Sequence, residues 1–148
     1  MELLFFLVPT ILHTWLMGEI SFSETEEEIA TKGFKEGIIL FNIGKIDTAF
    51  NYFSAKIKYY PKSAFLHFYI GKCHFYFENY AAALQSFDTA LRFDTTIIDI
   101  YAFKSKCHYF LEDWDIAFFQ LKKASRFFKN ENQELLFLLS DVEKRIFK

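Results

Sequence analysis

The sequence predicts an all-α fold in which helical hairpins stack side by side, and three observations predict it. The first is a period. The 34-residue window from Ala64 to Ile97 repeats its pattern in the residues before and after it. Gly71 falls on Gly37 and Ser105, Ala83 on Ala49 and Ala117, Phe87 on Phe53 and Leu121, and Ala90 on Ala124. Tyr80 falls on Trp114, and Phe93 on Tyr59 and Phe127. The second is the kind of residue that returns. Small residues recur where two helices must approach closely, and large aromatics recur where the space between hairpins must be filled. The third is composition. At 148 residues, 52% hydrophobic and 21% aromatic, the chain suits one domain with a continuous core and is too apolar for disorder.

Each period accommodates a helix A, a short turn and a helix B. The A helices are predicted over 26–43, 63–77 and 97–111, and the B helices over 46–60, 80–93 and 114–128. Asn79 and Asp113 stand where they are suited to cap their B helices, and Gly44 with Lys45 makes the equivalent turn in the first unit. Ser23 with Glu26, or Thr25 with Glu28, has capping-box spacing, and the carboxylates of this run complement a helix dipole. Residues 132–148 carry Leu135, Leu136, Leu139, Val142 and Ile146 on one stripe and Asp141, Glu143, Lys144 and Arg145 on the other side. A stacked array leaves its last hairpin with an open apolar face, and a helix of this kind covers it.

This pattern resembles the tetratricopeptide repeat (TPR) family, with units at about 30–63, 64–97 and 98–131 inside a domain spanning 26–148. The resemblance implies a right-handed superhelical array of three helix-turn-helix units plus the C-terminal capping helix. Pro61 closes the first unit where the family commonly has proline, whereas Thr95 and Lys129 stand there in the other two. Gly33 occupies a position where the family often has tryptophan, and Glu36 and Lys104 replace a common leucine that Ile70 resembles in the middle unit. Terminal repeats are ordinarily the atypical ones.

The N-terminal stretch Leu3 to Gly18 carries no charge, and its first half is apolar all round, unlike an amphipathic surface helix. It predicts a hydrophobic helix within residues 1–22, open to three readings. A membrane anchor fits best, although sixteen residues rise only about 24 Å against a hydrocarbon core of about 30 Å. A cleaved signal peptide would carry basic residues before the run, where only Glu2 stands, and small residues at its end. A helix buried against protein is the third reading, with Thr10, His13 and Thr14 as a polar stripe. The protein could be another copy of the chain or the array's own groove. Membrane association through this run is the expectation, and because Lys32 and Lys35 follow it and no base precedes it, the array is expected on the cytoplasmic side. An exported or soluble protein is the alternative.

A net charge of −2 supplies no field for nucleic acid. Charge is uneven along the chain: residues 1–50 hold eight acids and three bases, and residues 120–148 hold seven bases and four acids. Solvated helix faces account for this, with head-to-tail self-association or a basic end near anionic lipid as the alternatives. Cys73 and Cys107 lie one period apart. Equivalent helices pack about 8–10 Å apart, beyond the ~7 Å that a disulfide tolerates between Cα atoms, so both are read as free, buried thiols. Cys73-His74 and Cys107-His108 invite a metal, but neighbours on a helix point about 100° apart and the period alone explains the pairs. No CxxC, HExxH, phosphate-binding loop or dinucleotide fingerprint is present. No catalytic residue, metal site or cofactor is predicted.

In TPR proteins the A helices line the concave surface. The resemblance therefore implies a peptide groove lined by Phe34 and Phe41 in the first unit, Phe65, Phe68, Lys72, Phe75 and Tyr76 in the second, and Lys106, Tyr109 and Phe110 in the third. Thr31, Ile38, Asn42, Asp99 and Ala102 complete the inward positions. Such a surface suits an apolar or amphipathic helix, or an extended peptide with bulky side chains. The family's members that bind acidic chaperone tails use Lys, Asn and Arg at positions that here hold Phe34, Ile38, Tyr69, Asp99 and Phe103, so that clamp is not expected. The resemblance implies a non-catalytic protein-interaction module, and the apolar run over residues 3–18 adds an expected membrane tether. A structural subunit of a membrane assembly and a soluble chaperone are the alternatives.

Overall fold

The computed structural model describes residues 33–129 and 131–147. The hydrophobic helix expected within 1–22, its membrane contact, the capping boxes at 23–28 and the groove position Thr31 lie outside these residues. From Phe34 onward the described chain is all-α, with seven helices: α1 Lys35–Asn42, α2 Ile46–Lys56, α3 Ala64–Tyr76, α4 Tyr80–Phe93, α5 Asp99–Phe110, α6 Trp114–Phe127 and α7 Gln133–Ile146. They pair as α1/α2, α3/α4 and α5/α6, and α7 packs on α6 and α5. Each B helix also packs on the next A helix, so the hairpins form one continuous stack. No described helix is long and apolar enough to cross a membrane.

The predicted α4 matches residue for residue, and the other described elements agree to within a few residues. The largest difference is at α2, which ends at Lys56 rather than 60. Pro61 pushes Tyr60 out of helical geometry, and residues 57–59 form turns. All three A-to-B turns use one device. The residue after the A-helix C-cap adopts the left-handed conformation: Gly44 (φ 80°), Glu78 (φ 60°) and Glu112 (φ 62°). The N–H of the following residue then donates back across six residues, as Lys45 to Leu40, Asn79 to His74 and Asp113 to His108. This is the Schellman closure, which satisfies carbonyls the helix end leaves open.

Asn79 caps α4 as predicted, its side chain accepting from the Ala82 N–H. Asp113 does not cap α6 through its side chain; its carboxylate instead lies 3.2 Å from Nδ1 of His108. Two further caps explain how units lacking proline still end. Asp94 accepts from the Thr96 N–H and hydroxyl at 2.7 Å, a local turn that halts α4, and Lys129 takes the left-handed conformation after α6.

The register residues meet as the period requires. Ala49, Ala83 and Ala117, together with Phe53, Phe87 and Leu121, are fully buried. A Cβ on Gly71 would fall 2.6 Å from Cε1 of Phe87, and one on Gly37 would fall 2.6 Å from Cε1 of Phe53. Glycine is therefore what lets each B-helix ring lie against its own A helix. The third unit changes both members together, with a buried Ser105 in place of glycine and the smaller Leu121 in place of phenylalanine. On α7 the fully inward residues are Leu135, Leu138 and Val142; Leu138 takes the place in the core that the sequence stripe gave to Leu136. These side chains close a core with Ala117, Leu121 and Ala124 of α6.

Candidate functional site

The A helices α1, α3 and α5 hold the residues expected to line a groove, and the stack brings them together as a wall of interlocking rings. Phe34 stacks on Phe65 with centroids 5.8 Å apart, and Phe65 leans on Tyr69 at 4.6 Å. Phe41 meets Tyr69 and Tyr76 edge-on at 5.7 and 5.4 Å. Phe68 contacts Phe87 of α4 and Phe103 of α5. Phe75 meets Phe103, Tyr80 and Phe110, and Phe110 stacks on Tyr80 at 5.0 Å. Edge-to-face and offset pairs of this kind add to the stabilisation that burial provides.

Position in this wall decides what each ring can do. Phe34, Phe41 and Phe68 are buried, so they build the wall from behind. Phe65 and Phe75 are half-buried, and Tyr76 and Phe110 are exposed. Ile38 is half-buried, Asn42 and Asp99 are exposed, and Ala102 is buried. The ring-rich inner wall expected from the sequence therefore divides into a packed layer and a thinner accessible one.

Lys72 occupies the middle of the wall. Its Nζ lies 4.4 Å from the centroid of Phe41, 4.7 Å from Tyr69, 5.3 Å from Phe68 and 5.6 Å from Phe103. Four ring faces thus surround one ammonium, and cation–π attraction holds it there. Burial lowers its pKa, with Asp99 and Cys73 acting in the opposite direction. Among the described residues no carboxylate is ion-paired with it. Tyr69, beside it, has its phenol pushed up by burial and then by Asp99.

In the third unit α7 covers the wall. Lys106 is ion-paired with Glu134 at 2.5 Å, and the Tyr109 hydroxyl donates to Asp141 at 2.8 Å. Asp141 also accepts from Nε of Arg145, whose guanidinium lies 4.6 Å from the Trp114 centroid. That hydrogen bonding holds the Asp141 carboxyl below its ordinary range and raises the Tyr109 phenol. Lys106 and Tyr109 are therefore committed inside the chain, leaving Lys72 as the cation of the open part.

The cysteines, His67 and His74 lie in packing contacts. Cys73 and Cys107 are free and buried, and burial pushes each thiol up to about 12. Cys107 packs with Ala83, Phe87 and Ile100. His74 lies edge-on to Phe50 at 5.1 Å, and His67 packs on Phe93 with Nε2 2.9 Å from the Pro61 carbonyl. No group of His, Cys, Asp and Glu among the described residues could hold a metal ion.

Sequence reasoning missed one feature of this surface. The residue just before each left-handed turn residue is bulky, apolar and exposed: Ile43, Phe77 and Leu111. The signal was present, since these three recur at the period, but they fall outside the family's inward positions.

Paired helices in one register, with a ring wall on the leading helices, define a helical-repeat scaffold. No protein-family model matches the sequence, and no curated protein matches it. Solved structures do match. The first TPR of Spaghetti (RPAP3), bound to an HSP90 peptide SRMEEVD, gives a TM-score of 0.71 at 16% identity over 82% of this chain and 95% of that one. The TPR domain of Arabidopsis OM64 gives 0.70 at 15% identity over 82% and 100%. PcrH, in complex with the chaperone binding region of PopD, gives 0.68 at 22% identity over 80% and 94%. The fold is that of a TPR domain.

Proposed function

We propose that the chain is a non-catalytic interaction module that holds an apolar or amphipathic peptide segment against the wall formed by α1 and α3. The observation that carries this reading is Lys72, an ammonium ringed by four aromatic faces and ion-paired with no described carboxylate, beside the accessible Phe65, Phe75 and Tyr76. Apolar side chains of a ligand would be desolvated on these rings, and Lys72 would offer its N–H donors to a ligand carbonyl or carboxylate. Neighbours of the same fold are solved with peptides, including SRMEEVD and the PopD region, which supports a peptide as the class of partner.

The acidic tail of the chaperone peptides is not the ligand proposed here. At the positions expected of a tail clamp this chain has Phe34, Ile38, Tyr69, Asp99 and Phe103, three of them rings packed in the wall. Residues 3–18 are proposed to associate the module with a membrane, the array facing the cytoplasm. Membrane fractionation followed by an alkaline carbonate wash tests this, and recovery of the full chain in the soluble fraction would refute it.

The binding reading is tested by capture of partner from the native source with full-length chain. Phe65→Ala, Tyr76→Ala and Lys72→Met should each reduce capture with circular dichroism unchanged. Phe68 and Phe75 are less suited, because Phe68 belongs to the core and Phe75 ties α3 to α5. Undiminished capture by the Phe65→Ala/Tyr76→Ala double variant would exclude the wall. A second reading, an oligomerising subunit, is supported by Phe119, Phe137 and Phe147, each exposed to at least 70% towards the C-terminal end. Sedimentation that stays monomeric at high concentration would remove it.

A further inference from the structure

The edge formed by the A-to-B turns borders the wall, shares Tyr76 and Phe110 with it, and differs from it in charge. Ile43, Tyr76, Phe77, Phe110 and Leu111 stand along this edge with exposures between 39% and 61%. They are joined by a chain of rings: Tyr76 to Phe75, Phe75 to Tyr80, and Tyr80 to Phe110. Tyr76 of the second unit is thus linked through packed rings to Phe110 of the third. The stretches 42–48, 76–82 and 110–116, which are equivalent by the period, carry five carboxylates (Asp47, Glu78, Glu112, Asp113 and Asp115) against one base, Lys45. All five are exposed.

Two of these carboxylates are held at a local cost. Glu78 and Glu112 adopt φ near 60°, where the first unit has glycine, and a side chain there is unfavourable by about 1 kcal/mol. Neither carboxylate enters a hydrogen bond or ion pair among the described residues, so the fold gains nothing evident from them. An apolar strip flanked by unengaged carboxylates is complementary to one kind of ligand. We propose that the turn edge is a second docking surface, for a protein segment that presents bulky apolar side chains flanked by lysine or arginine. The surface shares Tyr76 and Phe110 with the margin of the wall assigned above but not Phe65 or Lys72, and its carboxylates, set against the wall's Lys72, make the two separable.

The test uses the full-length chain, isotopically labelled, and two synthetic amphipathic helices. Both carry the same Leu/Phe stripe; one flanks it with lysines and the other with glutamates. The lysine peptide should bind about tenfold more tightly at low salt, the effect expected of two or three exposed ion pairs. It should shift the resonances of Tyr76, Phe77, Glu78, Phe110 and Glu112, and the preference should fade as salt is added. Glu78→Lys/Glu112→Lys should reverse the preference, and Phe110→Ser should weaken the lysine peptide. Equal affinity for the two peptides, no binding of either, or a preference unmoved by charge reversal would overturn the proposal. Shifts confined to Phe65 and Lys72 would overturn it while leaving the wall reading in place. A chain that dimerises without peptide, and loses the dimer in Phe110→Ser, would give the edge to a second copy and also overturn it.

Discussion

Gly71→Ser sets two known effects against each other and so tests the close approach of α3 and α4. On helix propensity alone the change is favourable by roughly 0.5 kcal/mol, because glycine is a poor helix former. The structure opposes it. The new Cβ would fall 2.6, 2.7 and 3.1 Å from Cε1, Cδ1 and Cζ of Phe87, whereas carbon atoms in contact normally lie about 3.5–4.0 Å apart. Phe87 is fully buried against Phe68 and Phe103 and has nowhere to withdraw. Overpacking of a dense core costs about 1–3 kcal/mol, so the net expectation is a loss of about 1–2 kcal/mol. The third unit shows how the conflict resolves, with Ser105 and Leu121 at the corresponding positions. Phe87→Leu should therefore cost less in the Gly71→Ser background than in the wild type, with a coupling of about 1 kcal/mol. Urea denaturation of the four proteins of the cycle measures this. A Gly71→Ser variant more stable than wild type, or strictly additive changes, would refute the packing argument.

Glu78→Gly should stabilise the chain by about 0.5–1 kcal/mol by relieving a left-handed residue, while Glu78→Ala should not; thermal melts of the two decide it. Asn79→Ala should cost about 1 kcal/mol through loss of the α4 cap, whereas Asp113→Ala should cost less, because the Asp113 side chain makes no cap hydrogen bond, as urea midpoints of the two variants will report. Cys73 and Cys107 keep their protons in the folded chain up to about 12, against 9.0 ordinarily, so between these values the unfolded chain is the less protonated and stability falls as pH rises. Urea midpoints at pH 8 and 10 should show that fall, and Cys73→Ala/Cys107→Ala should flatten it. Tyr109→Phe should lower the urea midpoint by removing the α5-to-α7 hydrogen bond to Asp141, which then keeps only Arg145.

The fold was legible because its determinants are local and repeated. Gly71, Ala83 and Phe87 carry the geometry of one hairpin, and their recurrence extends it to the next. Element ends were less legible where proline is missing, since the Asp94–Thr96 turn and the left-handed Lys129 do the same work through unrelated chemistry. The surface was legible only in part. A position in the repeat assigns a ring to the inner wall, but burial there depends on what the neighbouring helix contributes. Phe41 and Phe68 face Tyr69 and Phe103 and disappear into the wall, while Tyr76, near the end of α3, stays open. Lys106 carried no sign in its own repeat of the Glu134 that engages it, because that partner lies 28 residues away on a helix outside the period.

Site-specific photo-crosslinking tests the central claim most directly. A photoreactive phenylalanine is placed at 65 or 76 on the leading-helix wall, and at 85 or 119 on the B helices, in otherwise native full-length chain. If a protein segment docks on the rings around Lys72, adducts form from 65 and 76 and not from 85 or 119, and Lys72→Met diminishes them. Adducts from 85 and 119 alone would contradict the account, for the wall would then be packing and nothing more.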